Sequence, residues 1–530
     1  MNIFRLLVAF VLVCFARLPA GQAVVPPPAG GYPNFTTATG DHALQVLTLG
    51  VGNTAIGAFS LFHVTTGNFN TAVGAGSLDL NTGDFNTATG AAALLFNTTG
   101  TENTAVGVDA LALNTTGESN AAVGAFALYN NVDGTGNNAF GDAALRSNIN
   151  AADNTAVGLS ALFSNDITGA GMANNNTAVG SEALLSNTDG DSNTAVGFQA
   201  LASNDTGGHN TATGAQALSS NTTGSFNVAN GLNALFSNTV GIENTANGFE
   251  ALFNNIDGGH NTADGAQALL TNTTGESNTA VGYEALQDNT MGSFNIAVGP
   301  GALQHNTVGN LNIAIGGTSL LNATGNDNIA LGNSAGGNLT TGTHNIDIAN
   351  SGVAGESATI RIGNVIQSQT FIAGIRGVTT GNNNAIPVLI DGDGQLGTAS
   401  SSRRYKTDIQ PMEKASESIL ALKPVSFRYK VHQDATPQFG LIAEQVAEVN
   451  PDLVIYGADS KPYTVRYDAV NAMLLNEFLK ARRQIDVQQK QIEALAAGLQ
   501  KVSAQLATAS SSGGRLEASK SAPQTVLNNQ

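Results

Sequence analysis

Hydroxyl and cationic side chains crowd into one short stretch of this chain, "GQLGTASSSRRYKTDI", from Gly394 to Ile409. Ser400, Ser401 and Ser402 are followed at once by Arg403, Arg404, Tyr405 and Lys406. Such a run could be a linker, a binding patch or a reaction site. A reaction site would use serine as a nucleophile, and a hydroxyl is a weak nucleophile until a nearby base takes its proton. Lysine serves as that base only where burial or neighbouring cations favour its neutral form. A serine and a lysine a few residues apart in a serine-rich run mean little alone, so the surrounding elements must decide.

The first residues carry an address. "MNIFRLLVAFVLVCFARLPAGQA" has an early Arg5, an apolar run from Leu6 to Phe15 and small residues at Gly21 and Ala23. It reads as a secretory signal peptide over 1–23, cut after Ala23. A lipid anchor at Cys14 is the rival reading, although Val13 stands where such sites carry a small residue. No later stretch has the length of a membrane span, so a secreted or cell-surface protein is expected. Cys14 is the only cysteine, which leaves the mature chain to packing alone.

Charge divides the chain at the opening stretch. The first 402 residues hold 5 Lys and Arg against 26 Asp and Glu, a balance of −21, and the remainder holds 16 against 13, a balance of +3. An acidic, lysine-poor body argues against a nucleic-acid partner, because neutralising phosphates takes clustered cations.

Between 53 and 350 the sequence repeats. A clean unit is "NTAVGVDALALNTTGES", starting at Asn103, and the anchor asparagine recurs eighteen times from Asn53 to Asn345. Fourteen of the seventeen intervals are 17 residues, two are 16, and one is 22, where "DITGAGMANN" loops out. This regularity predicts a solenoid with one coil per unit. Each coil reads as a short strand "NTAV", a turn at Gly, a second short segment ending in "AL", and a turn at "NTTG". The asparagines are expected to serve left-handed turn positions. Stacked at about 4.8 Å per coil, eighteen units would span roughly 85 Å as a two-layer β-roll. The third-position Ala and ninth-position Leu should fill the interior.

The fourth position is also mostly apolar, as at Ile56, Val106, Phe140, Val196 and Ile315. A lone thin roll would expose that row, so it reads as an interface between copies of the chain. Asn230, Asn247 and Asp264 interrupt it as a polar belt. A cation held by symmetry-related Asp264 carboxylates is the sharper alternative. The "NTAVG" run resembles the head repeats of trimeric autotransporter adhesins of the YadA type, which implies three parallel rolls packed side by side. The unit here is longer than theirs, and no C-terminal membrane β-barrel is read. His209, His260 and His344 fall in non-adjacent coils and read as exposed turn residues. No metal or cofactor is expected, and the roll shows no carboxylate pair, phosphate loop or nucleophile motif.

Beyond the repeat, 24–52 forms a lead-in, and 351–400 reads as a β-rich neck of short strands in "ATIRIGN", "QTFIAGIRG" and "AIPVLIDGDGQLGT". Then "ILALKPVSFRYK" suggests a short helix running into a strand, "FGLIAEQVAEVNPDLV" a strand end and helix, and "YDAVNAMLLNEFLKARRQ" the start of a long helix. From Asn471 a heptad runs through Phe478, Ile485, Ile492 and Leu499, with Leu474, Leu495 and Val502 on the second seam. A coiled coil over 471–508 is expected, with Asn471 and Gln488 setting register. The remainder, 509–530, reads as a disordered tail.

These segments in this order resemble peptidase S74, the C-terminal intramolecular chaperone of endosialidase tailspikes, with its core over 401–470. That family opens on Ser-Asp-x-Arg-x-Lys, whose Ser and Lys form a self-cleaving dyad. Here the motif falls on Ser401 to Lys406, with Ser402 in place of the Asp. The resemblance implies Ser401 as nucleophile and Lys406 as base, with Arg403 and Arg404 in support. Glu444 and Glu448 read as helix-surface residues. The expectation is a mainly β, exported homotrimer whose C-terminal domain assembles it and then cuts the Ser400–Ser401 bond, in cis and once. The alternative is a surface adhesin that keeps an uncleaved, lapsed domain. A host or surface glycan or protein would be its outside partner.

Overall fold

The computed structural model describes residues 33–375, 381, 384–430, 436–457 and 459–510. The expected signal peptide with Cys14, and the tail beyond 510, lie outside them. The chain forms two compact units, divided between Phe371 and Ile372.

The first unit is a parallel β-solenoid. Twenty three-residue strands, from β1 (Thr37–Thr39) to β20 (Ile360–Ile362), each pair with the strand before and after in sequence. The ladder thus reaches one strand beyond the asparagine-anchored repeat at either end. Like stacks on like: Ala178 pairs with Ala195, and Ala195 with Ala212. Alternation along the strand sends this Ala inward and its Thr and Val neighbours outward. The Ala file and the Leu file (Leu184, Leu201, Leu218) form a continuous buried core.

Opposite the strand each coil has stacked turns rather than a second strand. The residues there are left-handed at alternate positions, as in Gln199 (φ 54°) and Leu201 (φ 54°), with Ser192 (φ 57°) at the coil junction. A left-handed L-residue costs roughly 1–2 kcal/mol. Here the stack offsets that cost, because Gln199 N–H donates to Ser181 O and Leu201 N–H donates to Ala217 O, both at 3.0 Å. Successive turn residues therefore bond to opposite neighbours, and a coil holds this shape only between two others.

The asparagines correct the sequence reading. Apart from Asn34, Asn175 and Asn233 they do not occupy the left-handed positions; those at the coil corners form two buried side-chain ladders. Asn193 N–H donates to Asn176 Oδ1 (2.9 Å), and Asn193 Nδ2 donates to Gly207 O (2.9 Å). At the other corner Asn204 Nδ2 donates to Asn187 Oδ1 and to Gly207 O, both at 2.8 Å. A buried amide left unpaired costs about 1–3 kcal/mol, so the second ladder runs unbroken from Asn81 to Asn306 and gives way to apolar Val64, Ala323 and Leu339 outside it. In the 22-residue coil Asn165 keeps its place in the ladder, and Asp166 beside it adds a further buried acceptor. Its buried carboxylate accepts from the N–H groups of Asn150 (2.7 Å), Ala151 (2.9 Å) and Gly171 (2.8 Å).

One coil breaks the interior rule. Asp347 takes the inward place of Ala, is 1% exposed, and neither carboxylate oxygen has a hydrogen-bond partner among the described residues. Burial, then the Glu356 charge, push it up to about 6, against the pull of Arg361. Because the folded coil prefers the protonated acid, its contribution is complete below the unfolded value of 3.8 and is lost as pH rises to about 6. We expect the protection factors of amides in 345–362, exchange taken relative to the intrinsic rate at each pH, to be higher at pH 4.5 than at pH 7.5, and Asp347→Ala to abolish the difference. The full loss amounts to about 3 kcal/mol of local stability, about 2 kcal/mol of it between these two pH values. Equal protection factors at both pH values in the wild type would count against this.

In the second unit the expected neck is sparse. Besides strand Ile360–Ile362, which belongs to the solenoid, its described residues hold only a hairpin of Leu389–Ile390 with Leu396–Gly397. The described part of "QTFIAGIRG" has no strand, and Phe371, Ile372 and Ile375 stand exposed. After it, a 3-10 helix over Glu413–Ala421 leads into strand Val425–Phe427, paired with Gln438–Gly440. Helix α1 (Ala443–Val449) and the hairpin of Val454–Tyr456 with Pro462–Val465 follow, and then helix α2 (Tyr467–Ser510). These match the expected helix and strand segments. The small core gathers Val446, Leu453, Val454, Val465 and Met473. Among the described residues no helix is long and apolar enough to cross a membrane.

Candidate functional site

The Ser400–Lys406 segment is exposed throughout. Arg403–Tyr405 makes one 3-10 turn, closed by Tyr405 N–H donating to Ser402 O and Lys406 N–H donating to Arg403 O, both at 3.1 Å. Arg404 lies over the Tyr405 ring, 4.7 Å from its centroid, which fixes the guanidinium locally. The Ser402 N–H donates to Ser400 Oγ (3.4 Å), folding the backbone across Ser401. Among the described residues no hydrogen bond joins the Ser401 hydroxyl to Lys406. The turn places both side chains within one short segment, but a single chain supplies no dry wall around them.

The other sequence candidates are dispersed. Asp264 is exposed and pairs in register with Asn247, whose Oδ1 accepts from Asn230 Nδ2 (3.0 Å). His209, His260 and His344 each face a carboxylate of the preceding coil, Asp191 (3.9 Å), Glu243 (3.4 Å) and Asp327 (3.6 Å). Exposed pairs of this kind contribute little. Glu444 and Glu448 lie exposed on α1.

Sequence reasoning missed a polar cluster between the 3-10 helix and α2. Ser416 is fully buried; its hydroxyl donates to Glu477 Oε1 (2.5 Å) and accepts from Asn476 Nδ2 (2.7 Å) and Lys480 Nζ (3.4 Å). Lys480, then Ser416, hold the Glu477 carboxyl below its usual range, and Glu477 in turn holds the Lys480 amine above its own. The cluster ties the segment that follows the serine run to the long helix. Spacing along α2 puts Asn476, Glu477 and Lys480 near one another, but nothing local marks Ser416 as their partner. Ser416→Ala is expected to lower the stability of this unit by about 1–2 kcal/mol, read from its thermal unfolding, because it strips half-buried partners of a hydrogen bond.

The seam of α2 stays open to solvent. Phe478, Ile485, Ile492 and Leu499 are all more than half exposed, as a helix awaiting partners would be.

No curated protein matches the chain. Residues 401–455, beginning at Ser401 itself, match the family model of Peptidase S74, described as chaperone of endosialidase.

Proposed function

We propose that the chain is an exported, self-assembling fibre whose C-terminal unit brings three copies together and then releases itself by cutting between Ser400 and Ser401. The observation that carries this reading is the family match starting at Ser401, in a unit whose long helix leaves an apolar seam uncovered. An S74-like unit and a β-solenoid together fit a trimeric fibre with its own chaperone. Parallel pairing of separate thin rolls is slow and exposed to aggregation. A trimerising helix raises local concentration and sets register, and its loss after cleavage leaves the fibre kinetically trapped.

In the cut, Lys406 Nζ takes the Ser401 hydroxyl proton as Oγ attacks the Ser400 carbonyl carbon. The Ser400–Ser401 C–N bond breaks as that proton passes to the leaving amine, giving an ester on Ser401. Water hydrolyses the ester and restores the hydroxyl. Arg403 and Arg404 sit next to the bond and supply positive charge for the oxyanion. Assembly would enclose the segment and provide the dry wall that one chain lacks. The released product reads as a binding or structural fibre, adhesin-like, at or beyond the cell surface.

The second reading, an uncleaved clamp, rests on Ser402 standing where the family motif has an acid. Native mass spectrometry of the full chain tests both: we expect three copies of a fragment ending at Ser400. A trimer of full-length chains would favour the clamp, and a single-copy mass would overturn assembly altogether.

A further inference from the structure

The outward face of the solenoid strands changes character near its C-terminal end. Upstream, the second repeat position is mostly threonine, as in Thr177, Thr194 and Thr211. From the sixteenth strand on it is isoleucine without exception: Ile296, Ile313, Ile329, Ile346 and Ile360. The other outward position in the same five strands runs from Val298 through Leu331 to Ile362, all aliphatic and stacked in register. Threonine suits a strand face in water, whereas paired branched aliphatics are what a covered sheet carries. Yet Ile296 is 39%, Leu331 47% and Ile362 70% exposed. The strip is widened by Phe294 and Leu311, each two residues before one of these isoleucines and more than half exposed. The polar belt of Asn230, Asn247 and Asp264 separates it from the apolar row upstream.

Resting on the self-assembly reading, we infer that this five-strand strip is the primary docking surface for the same strip on another copy, where side-to-side pairing of solenoids begins. Two features select a second copy as the occupant. No charged residue stands at an outward strand position from Ile296 to Ile362, so two strongly acidic bodies can meet there without like charges opposed, and a basic partner finds nothing to pair with. The ten outward side chains also offer an area of the order of the ~800 Å² that each partner gives to a standard interface. Identical coil spacing lets copies align strand on strand. The strip lies at the end of the solenoid next in sequence to the S74-like unit, so pairing starts there and runs toward the N-terminus, across the polar belt.

The test uses the full chain. A strip variant, Ile296→Thr with Ile313→Thr and Ile329→Thr, installs the residue that upstream coils carry at that place. A matched control, Val157→Thr with Val179→Thr and Val196→Thr, alters the upstream row, where Thr89 and Thr213 already occur. Analytical ultracentrifugation across concentration, with circular dichroism to confirm folding, is expected to show the strip variant dissociating with a constant raised about 100-fold, and the control changed by less than about 10-fold. Wild-type association in the strip variant, or equal loss in both, overturns the inference. A wild-type chain that is monomeric at every concentration overturns the self-assembly reading as well. Should the strip variant fail to fold, Ile313→Cys decides: mild oxidation is expected to give inter-copy crosslinks above the Cys14 background, and their absence counts against the strip.

Discussion

A chain carrying Ser401→Ala is expected to stay at full length, while the wild type separates into one fragment ending at Ser400 and another beginning at Ser401. Intact mass on the purified proteins reads this directly. Three serines stand in a row, so the neighbours are the necessary controls: Ser400→Ala and Ser402→Ala should still be cut, at the same bond. Lys406→Arg keeps the charge but removes a side chain able to shed its proton, and should also stay whole. Loss of either partner of such a pair costs at least 10³-fold in rate, which over a purification appears as no cleavage. Ser402→Asp, which restores the acid of the S74 motif, is expected to speed the cut. If Ser401→Ala breaks at the same place as wild type, the nucleophile assignment fails, whatever the oligomeric state.

The second large effect is structural. Gly197→Ala should unfold part of the solenoid, at a cost of about 3 kcal/mol or more. Gly197 has φ 140°, a region essentially closed to other residues, and an added Cβ would lie 2.4 Å from the Gly214 carbonyl oxygen. The obstacle is backbone of the next coil, which cannot swing aside as a side chain could. In a stacked array stability is a sum of coil and nearest-neighbour terms. The damage should therefore be local: amide exchange accelerates in coils 176–227 and stays slow several coils away. Ser203→Ala, at an exposed turn position of the same coil, is expected to change stability by less than about 0.5 kcal/mol. Uniform protection in Gly197→Ala would overturn the close-contact account.

Much of the scaffold could be read from spacing. The period, the inward Ala and Leu files and the start of the long helix at Tyr467 all follow from local pattern. The asparagines could not be placed that way, because a turn asparagine and a ladder asparagine look alike until the coil above is known. Left-handed Leu201 and Gln199 carry no signal either, since no L-residue prefers that conformation and only stacking imposes it. Asp347 was legible but passed over, since it holds the third place after anchor Asn345, the place that Ala takes inward elsewhere. Of the candidate site, the residue types and order at Ser401–Lys406 were legible. The tie from Ser416 to Glu477 was not, as it joins residues 61 apart.

The two amide ladders bear on inheritance as well as on folding. From Asn81 to Asn306 each coil offers the next the same pair of side-chain amides, whereas Val64, Ala323 and Leu339 take the second corner in the coils outside that span, so the faces of the inner coils are interchangeable with one another. Removing or duplicating one 17-residue unit within that span restores the same junction and leaves no unmatched group. Gene segments of that length can thus be gained or lost by recombination between near-identical repeats while every variant still folds. The reach of the fibre is a copy number, open to selection in steps of about 4.8 Å.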